Sequence, residues 1–434
     1  MLNSAPAWMN AGHPHIWLPY VQMKTADDPL PVVATEGCRL HLADGRVLID
    51  GIASWWTACH GYRHPHIVQA IHEQLDRLPH VMFGGLVHEP ALALASRLCA
   101  LLGPGFERVF LTESGSVSVE VAMKMARQYW FNQGQPRRQR ILSFAGGYHG
   151  DTFGTMAVCD PAIGMHAAFA SMLPAQDVMP LPVDAASEAC LDAVLQQEAG
   201  HIAALLVEPL VQGAAGMRMH APQVLQRLRA LADRHGVLLI FDEIFTGFGR
   251  TGSLFAFEQA GVQPDILTLS KALTGGTLPL AATVANARVC AAFWSDDPGH
   301  ALMHGPTYMG NPLACAAAMA SLDLFATEPR LPQVHRIEAT LREQLAVCQA
   351  LPSVREIRVK GAIAAVELHA VPDRAALCRA FVRAGVWVRP LGRVVYLTPS
   401  FVISHDELTA LTQAVHEVLR VLPGPSIRGV EREA

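Results

Sequence analysis

No block of basic residues and no Lys- or Arg-rich arm occurs in this chain of 434 residues, whose formal net charge is -5. That balance argues against a nucleic-acid footprint and against a polybasic membrane patch, and leaves small molecules as the expected partners. The first fifteen residues lack the basic and apolar regions of a signal peptide, and no apolar run reaches the ~18 residues that a membrane span needs. A cytoplasmic protein is expected. Nine cysteines are scattered from Cys38 to Cys378 without a CxxC spacing, so neither a disulfide framework nor a zinc ribbon is indicated, and the thiols are read as reduced and mostly buried. No HExxH occurs, and although His60 and His64 stand at i, i+4, Pro65 breaks a helix there; no metal site is expected. The absence of GxxxxGK[ST] removes support for a P-loop nucleotide enzyme. Charged residues make up only 16% against 51% hydrophobic, a balance that suits a large α/β interior or an extensive subunit interface.

What is present has a clear order. The length suits two or three packed units at roughly 150 residues each. An irregular start with Pro14, Pro19, Pro29 and Pro31 gives way to alternation from Arg39 to Asp50 around Asp44-Gly45, which reads as an arm followed by a hairpin. After Pro65, Ile67, Ala70, Ile71, Leu75 and Leu78 recur at helical spacing, and the next clear helix starts after Ser116 with Val117, Val121 and Met125. Ile141 to Phe144, Ala204 to Val207, Val237 to Phe241 and Ile266 to Leu269 are continuous apolar runs, the pattern of strands buried on both faces, so a mostly parallel sheet covered by helices is expected. Past Leu313 an Ala-rich helix leads to strands at Ala362 to Leu368 and Val394 to Leu397, then to a helix opened by the capping pair Ser404 and Glu407 and stopped at Pro423-Gly424. The tail from Pro425 is expected to fray. The expected division is an arm and hairpin over 1–60, a large α/β domain over 61–325 and an α+β domain over 326–434.

Two of the buried strands run straight into charge: Phe241 into Asp242-Glu243, and Leu269-Ser270 into Lys271. In an open parallel sheet, ligands sit beyond the carboxyl ends of the strands. An acid and an amine at one edge are what pyridoxal chemistry requires, since the amine forms an imine and the carboxylate keeps the ring nitrogen protonated. Either charge alone reads equally well as a solvated strand end. Upstream, Thr112-Glu113-Ser114-Gly115-Ser116 precedes a helix and offers free N–H groups to an anion such as a cofactor phosphate, although simple N-capping by a serine would look the same. Gly146 to Gly150 presents Tyr148 from a glycine loop at a strand end, suited to stacking on a flat heterocycle or to an ordinary surface turn.

Gly247, Gly249 and Gly252 spell GxGxxG, which taken literally is a dinucleotide fingerprint and would make the chain a nicotinamide oxidoreductase. The glycines begin five residues after the strand, and only Ser253 to Gly261 is available for the following helix before Pro264. A dinucleotide-binding unit needs more.

The stretch LLIFDEIFTGFGRTG, the lysine context LSKALTGG and the segment HGPTYMGNPLACAA occur in this order, and with them the chain resembles the class III aminotransferases over nearly its entire length. The GxGxxG is then part of the first motif. IWLPY at Ile16 to Tyr20, SWW at Ser54 to Trp56, HVMFGG at His80 to Gly85, GYHGDTFG, CDP near Cys159, and GVWVRP at Gly385 to Pro390 resemble the branch that uses S-adenosylmethionine as amino donor and 8-amino-7-oxononanoate as acceptor. They separate the chain from ornithine and 4-aminobutyrate relatives.

The resemblance implies a fold-type-I enzyme bound to pyridoxal 5'-phosphate, with a smaller α+β domain from the two chain ends and a ping-pong reaction. It implies Lys271 as the Schiff-base lysine, Asp242 at the pyridine nitrogen, Gly115 and Ser116 at the phosphate, Tyr148 over the ring, and Glu208 near the cofactor. It also implies a homodimer with shared active sites, in which Pro306 and Thr307 of one subunit meet the phosphate held by the other. Tyr20, Trp55 and Gly305 would line the substrate, and Arg389 would clamp the acceptor's carboxylate, a pairing for which a guanidinium is suited. Trp56 also reads as a core aromatic. A class III relative with a different donor, such as lysine, or a different acceptor is the alternative.

Overall fold

The computed structural model describes residues 5–161, 166–371 and 373–424; the tail from Pro425 lies outside them. The chain divides into two compact units, one made of Pro65–Val334 and the other of Met1–His64 with His335–Ala434.

The larger unit is built on a seven-stranded sheet whose strands are β1 (Phe106–Thr112), β2 (Arg140–Phe144), β3 (Asp177–Met179), β4 (Ile202–Val207), β5 (Leu238–Asp242), β6 (Ile266–Leu269) and β7 (Ala281–Asn286), in the spatial order β1-β7-β6-β5-β4-β2-β3. The continuous apolar runs have become strands buried along their whole length in β4, β5 and β6. They are parallel to one another, as are β2 and β3. Only β7 reverses, and it is antiparallel to both β6 and β1. The carboxyl ends of the other six strands therefore share one edge of the sheet.

Helix Gly115–Asn132 packs on this sheet through Val119, Val121, Ala122, Ala126 and Trp130, in one cluster with Ile141, Leu206, Leu238 and Ile240. Burying each branched side chain of that size contributes about 1.5–3 kcal/mol, and the Trp130 indole N–H is satisfied by the Ala203 carbonyl at 2.8 Å. Among the helices that the periodicity does not place, Glu89–Leu102, EPALALASRLCALL, opens on Pro90 and buries only Ala91, Leu94, Leu98 and Leu102, while its exposed apolar residues blur the contrast between its faces. The helix expected after Ser116 begins at Gly115, capped by the Ser114 side chain.

The smaller unit holds the expected hairpin, Arg39–Leu42 with Val47–Asp50, in a four-stranded sheet with Val32–Glu36 and the distant Val386–Trp387. A second sheet joins Val354–Lys360, Ile363–Leu368 and Val394–Leu397. The Ser404 capping box is formed, its hydroxyl accepting the Glu407 N–H at 3.1 Å, and Glu407 also accepts from Arg39 at 2.8 Å.

Candidate active site

The parallel register of β5 and β6 sets Asp242 opposite Thr268, and Lys271 follows two residues after β6 ends. The acid and the amine thus reach the same edge of the sheet because their strands are neighbours and run the same way. Lys271 holds φ at +44°, a left-handed conformation that a β-carbon disfavours and that recurs where a site fixes a side chain. Some of its surface remains accessible, yet the protein encloses it closely enough that desolvation lowers its amine to about 8, against the opposing pull of Asp242 and Glu208.

Asp242 is buried, and its Oδ2 lies 2.7 Å from His149 Nδ1. Its Oδ1 accepts the Ile244 N–H and the Thr268 hydroxyl, each at 3.2 Å. Glu208, immediately after β4, accepts the Tyr148 N–H at 2.8 Å through Oε1 and the Gly213 N–H at 2.7 Å through Oε2. Burial raises its carboxyl to about 7; His149 opposes that rise and Asp242 adds to it. Glu208 therefore fixes the backbone of the loop that presents Tyr148, whose hydroxyl donates to Asp151 at 3.0 Å and whose ring stacks on His166 at 6.2 Å.

Gly115 and Ser116 occupy the first turn of the helix capped by Ser114, where N–H groups have no intrahelical acceptor. Ser116 Oγ accepts the Asp151 N–H at 3.2 Å. The glycine loop and this helix start are in direct contact: a β-carbon on Gly150, whose φ is +133°, would stand 2.2 Å from Ser116 Oγ. Only glycine lets the Tyr148 loop close on this helix start.

Glu243 takes no part in this cluster. Alternation turns it away from Asp242 into the core, where Oε2 accepts the Ala256 N–H and Oε1 the Phe257 N–H, each at 2.8 Å. Burial raises it to about 8. The GxGxxG opens on a tight turn at the Glu243 main chain: Gly247 donates its N–H to the Glu243 carbonyl at 3.0 Å, and a β-carbon there would meet that oxygen at 2.8 Å. What lies between these glycines and the strand Ile266–Leu269 is the short 3-10 turn Ala256–Ala260, so this is not the helix start of a dinucleotide fold.

Gly305, Pro306 and Thr307 lie in an irregular, largely exposed stretch. It is tethered where Lys124 Nζ meets the Met303 carbonyl and His304 Nδ1, each at 3.0 Å. In the smaller unit, Tyr20, Trp55 and Arg389 come together from sequence positions far apart. The Arg389 guanidinium sits 5.3 Å from the Trp55 ring centroid and the Tyr20 ring meets Trp55 edge-on at 6.3 Å, a cation–π and aromatic group. Trp56 packs against Tyr396 at 6.1 Å, consistent with the core role. His149 was not singled out from the sequence; its place beside Tyr148 in GYHG drew attention to the aromatic, and only the fold brings it to Asp242. Among the described residues no group of His, Cys, Asp and Glu could hold a metal ion.

These residues fit pyridoxal phosphate: an enclosed amine with lowered basicity, a buried carboxylate held by donors on both oxygens, and a helix start with a hydroxyl and free N–H groups for the phosphate. The comparisons agree with the chemistry. The class-III aminotransferase family matches residues 21–419. The adenosylmethionine-8-amino-7-oxononanoate aminotransferase of Synechococcus elongatus is 46% identical over 424 residues, spanning 94% of this chain and 99% of that protein. The crystal structure of the enzyme of that name from Methanocaldococcus jannaschii superposes with a TM-score of 0.89 at 29% identity, covering 95% of this chain and 98% of its own. An amine transaminase from an uncultivated Pseudomonas species, solved in a PLP-bound form, gives 0.86 at 34% identity over 93% of this chain and 98% of its own. With its parallel sheet, its lysine and acid at one sheet edge, and this likeness along almost all its length, the chain belongs to the class III aminotransferases, pyridoxal-phosphate-dependent enzymes of fold type I.

Proposed function

We propose that this aminotransferase moves an amino group from S-adenosylmethionine to 8-amino-7-oxononanoate, giving 7,8-diaminononanoate for biotin biosynthesis in a ping-pong reaction. The observation that carries the reading is the near-full-length likeness to relatives that bear this activity in their names. The Arg389–Trp55–Tyr20 group supports it, because a substrate with a long apolar chain and a terminal carboxylate calls for an aromatic wall beside a guanidinium.

Bound pyridoxal phosphate supplies an aldehyde to carry the amino group and a protonated ring to draw electrons from the reacting carbon. Lys271 would hold the aldehyde, Asp242 the ring nitrogen, Gly115 and Ser116 the phosphate, and Tyr148 the ring face, with Glu208 fixing the loop behind it. Lys271 Nζ then moves the proton at the reacting carbon, and its lowered basicity keeps a useful share of it neutral near neutral pH. General acid–base work of this kind contributes roughly 10² to 10⁴-fold. His149 and Thr268 hold the Asp242 carboxyl in place through hydrogen bonds to its two oxygens. Arg389 binds the acceptor's carboxylate, and Tyr20, Trp55 and Gly305 line its chain.

In this reading the enzyme is a cytoplasmic homodimer in which Pro306 and Thr307 complete the partner's phosphate site. Exposed Met303, Tyr308, Met82 and Val87 support a subunit interface on the larger unit, and nine unpaired cysteines suit a reducing compartment. An absorbance spectrum between about 300 and 500 nm, taken before and after adding S-adenosylmethionine and then 8-amino-7-oxononanoate, tests the substrates. The cofactor's visible band should collapse with the first and return with the second. A band unmoved by S-adenosylmethionine but responsive to another amine, such as lysine, would overturn the donor.

A further inference from the structure

Ala53, Ser54, Trp55 and Trp56 have φ values of +46°, +47°, +56° and +76°. None is glycine, and each β-carbon disfavours the left-handed region, so a run of four must be held by its surroundings. The run forms a single left-handed turn in which Trp56 donates its N–H to the Ile52 carbonyl and Thr57 to that of Ala53, each at 2.9 Å.

What holds it is a buried acid. Asp50 ends the strand Val47–Asp50 and is 2% exposed. Its Oδ1 accepts the Ile52 N–H at 2.9 Å, and its Oδ2 accepts the Ser54 N–H at 2.9 Å. The Tyr62 hydroxyl donates to Oδ2 at 2.5 Å and lies 2.5 Å from Ser54 Oγ. Tyr62 is itself fixed by its backbone, which exchanges two hydrogen bonds with Gly37, at 2.7 and 3.3 Å. Asp50 and Tyr62 thus grip the turn at Ser54 from both the main chain and the side chain.

The turn's product is the placement of Trp55. A right-handed turn would carry that side chain elsewhere; the left-handed one leaves it 39% exposed, edge-on to Tyr20 and beneath the Arg389 guanidinium. We infer that Asp50 and Tyr62 are positioning residues for acceptor recognition: by holding the left-handed turn they fix Trp55, and through its ring they orient Arg389 toward the acceptor's carboxylate. The inference rests on the reading in which Trp55 and Arg389 bind that substrate.

Tyr62→Phe removes one oxygen and keeps the ring, so it tests the grip with little risk to folding. The KM for 8-amino-7-oxononanoate should rise about tenfold, while kcat at saturation changes less than about twofold, the cofactor band is unmoved and the thermal midpoint stays close to the parent's. Adding Ser54→Gly should bring the KM back down, because glycine adopts the left-handed conformation without a grip; loss of packing alone would not be rescued this way. Trp55→Ala separates the two levels of the argument. If it raises the acceptor KM and Tyr62→Phe does not, or if Ser54→Gly fails to rescue, the positioning role is overturned and the substrate reading stands. If Trp55→Ala itself leaves the acceptor KM unchanged, the substrate reading of this cluster falls, and the inference with it.

Discussion

His149 Nδ1 lies 2.7 Å from Asp242 Oδ2, and both side chains are buried. With Nδ1–H donating and the carboxyl oxygen accepting, the contact sets the tautomer of the ring. His149→Ala should leave Asp242 with only the Ile244 N–H and the Thr268 hydroxyl. A hydrogen bond to a buried charge is worth roughly 1.5–3 kcal/mol, so kcat should fall by about 10- to 100-fold while the protein still takes up its cofactor. Steady-state kcat, read beside the pH dependence of the visible band, checks this. Wild-type kcat would make the bond a packing contact only.

Lys271 has its amine lowered to about 8, chiefly by desolvation. The neutral amine attacks an aldehyde and the ammonium cannot. Stripped of cofactor, the protein should therefore recapture pyridoxal phosphate faster as pH rises toward 8, about tenfold per unit, and level off above it. Stopped-flow absorbance against pH gives the profile. A plateau reached only near the ordinary lysine value would show that enclosure does not shift this amine. Lys271→Ala should abolish turnover with the fold intact by circular dichroism.

Glu243 is fully buried and raised to about 8, first by desolvation, with the Ala256 and Phe257 N–H groups opposing. The folded state thus keeps a proton that the unfolded chain releases near the ordinary value of 4.5. Its contribution is complete below the unfolded value and is lost as pH rises through about 8, so stability should decline over that window. Glu208, raised to about 7, acts in the same direction. Urea midpoints across the window should fall less steeply in Glu243→Gln than in the parent. An equal slope in both would mean that Glu243 does not titrate there.

The sheet was legible because buried parallel strands leave continuous apolar runs, and Leu238–Asp242 and Ile266–Leu269 fall on the runs that announced them. Asp242 and Lys271 were legible for the same reason, as charges ending such runs. Glu243 was not, because nothing local distinguishes an acid that faces a ligand from its neighbour that satisfies two backbone N–H groups thirteen and fourteen residues away. His149 and the Asp50–Tyr62 grip were hidden by distance: one partner lies ninety-three positions off, the other twelve. The left-handed turn at Ser54 left no mark, since the residues there are not the glycine or asparagine that usually announce it. Helix Glu89–Leu102 was lost because its exposed face carries Leu92 and Leu101 as well.

Arg389 lies over Trp55 at 5.3 Å, and in the proposed function its guanidinium takes the acceptor's carboxylate by charge-assisted hydrogen bonds. Arg389→Ala should lower kcat/KM for 8-amino-7-oxononanoate by about 10- to 100-fold, the loss of roughly 1.5–3 kcal/mol, and change the half-reaction with the amine donor far less. Single-turnover rates for each half-reaction separate the two. Equal losses in both would remove Arg389 from its acceptor role.

The proposed sharing of active sites between subunits makes a prediction that no single variant can. Thr307 is exposed in the larger unit, and in the proposed dimer it faces the phosphate held by the partner. Thr307→Glu should then exclude the cofactor by setting a carboxylate against that phosphate, and it should be as inactive as Lys271→Ala, though the defects differ. In a mixed dimer of the two variants, one site receives both lesions and the other receives neither, since the two residues belong to different chains at each site. Mixing the inactive proteins under conditions that allow subunit exchange should therefore restore turnover and a visible cofactor band that Lys271→Ala lacks by itself. If the two residues served the same site from one chain, every site would keep one lesion and the mixture would stay inactive, whatever its oligomeric state.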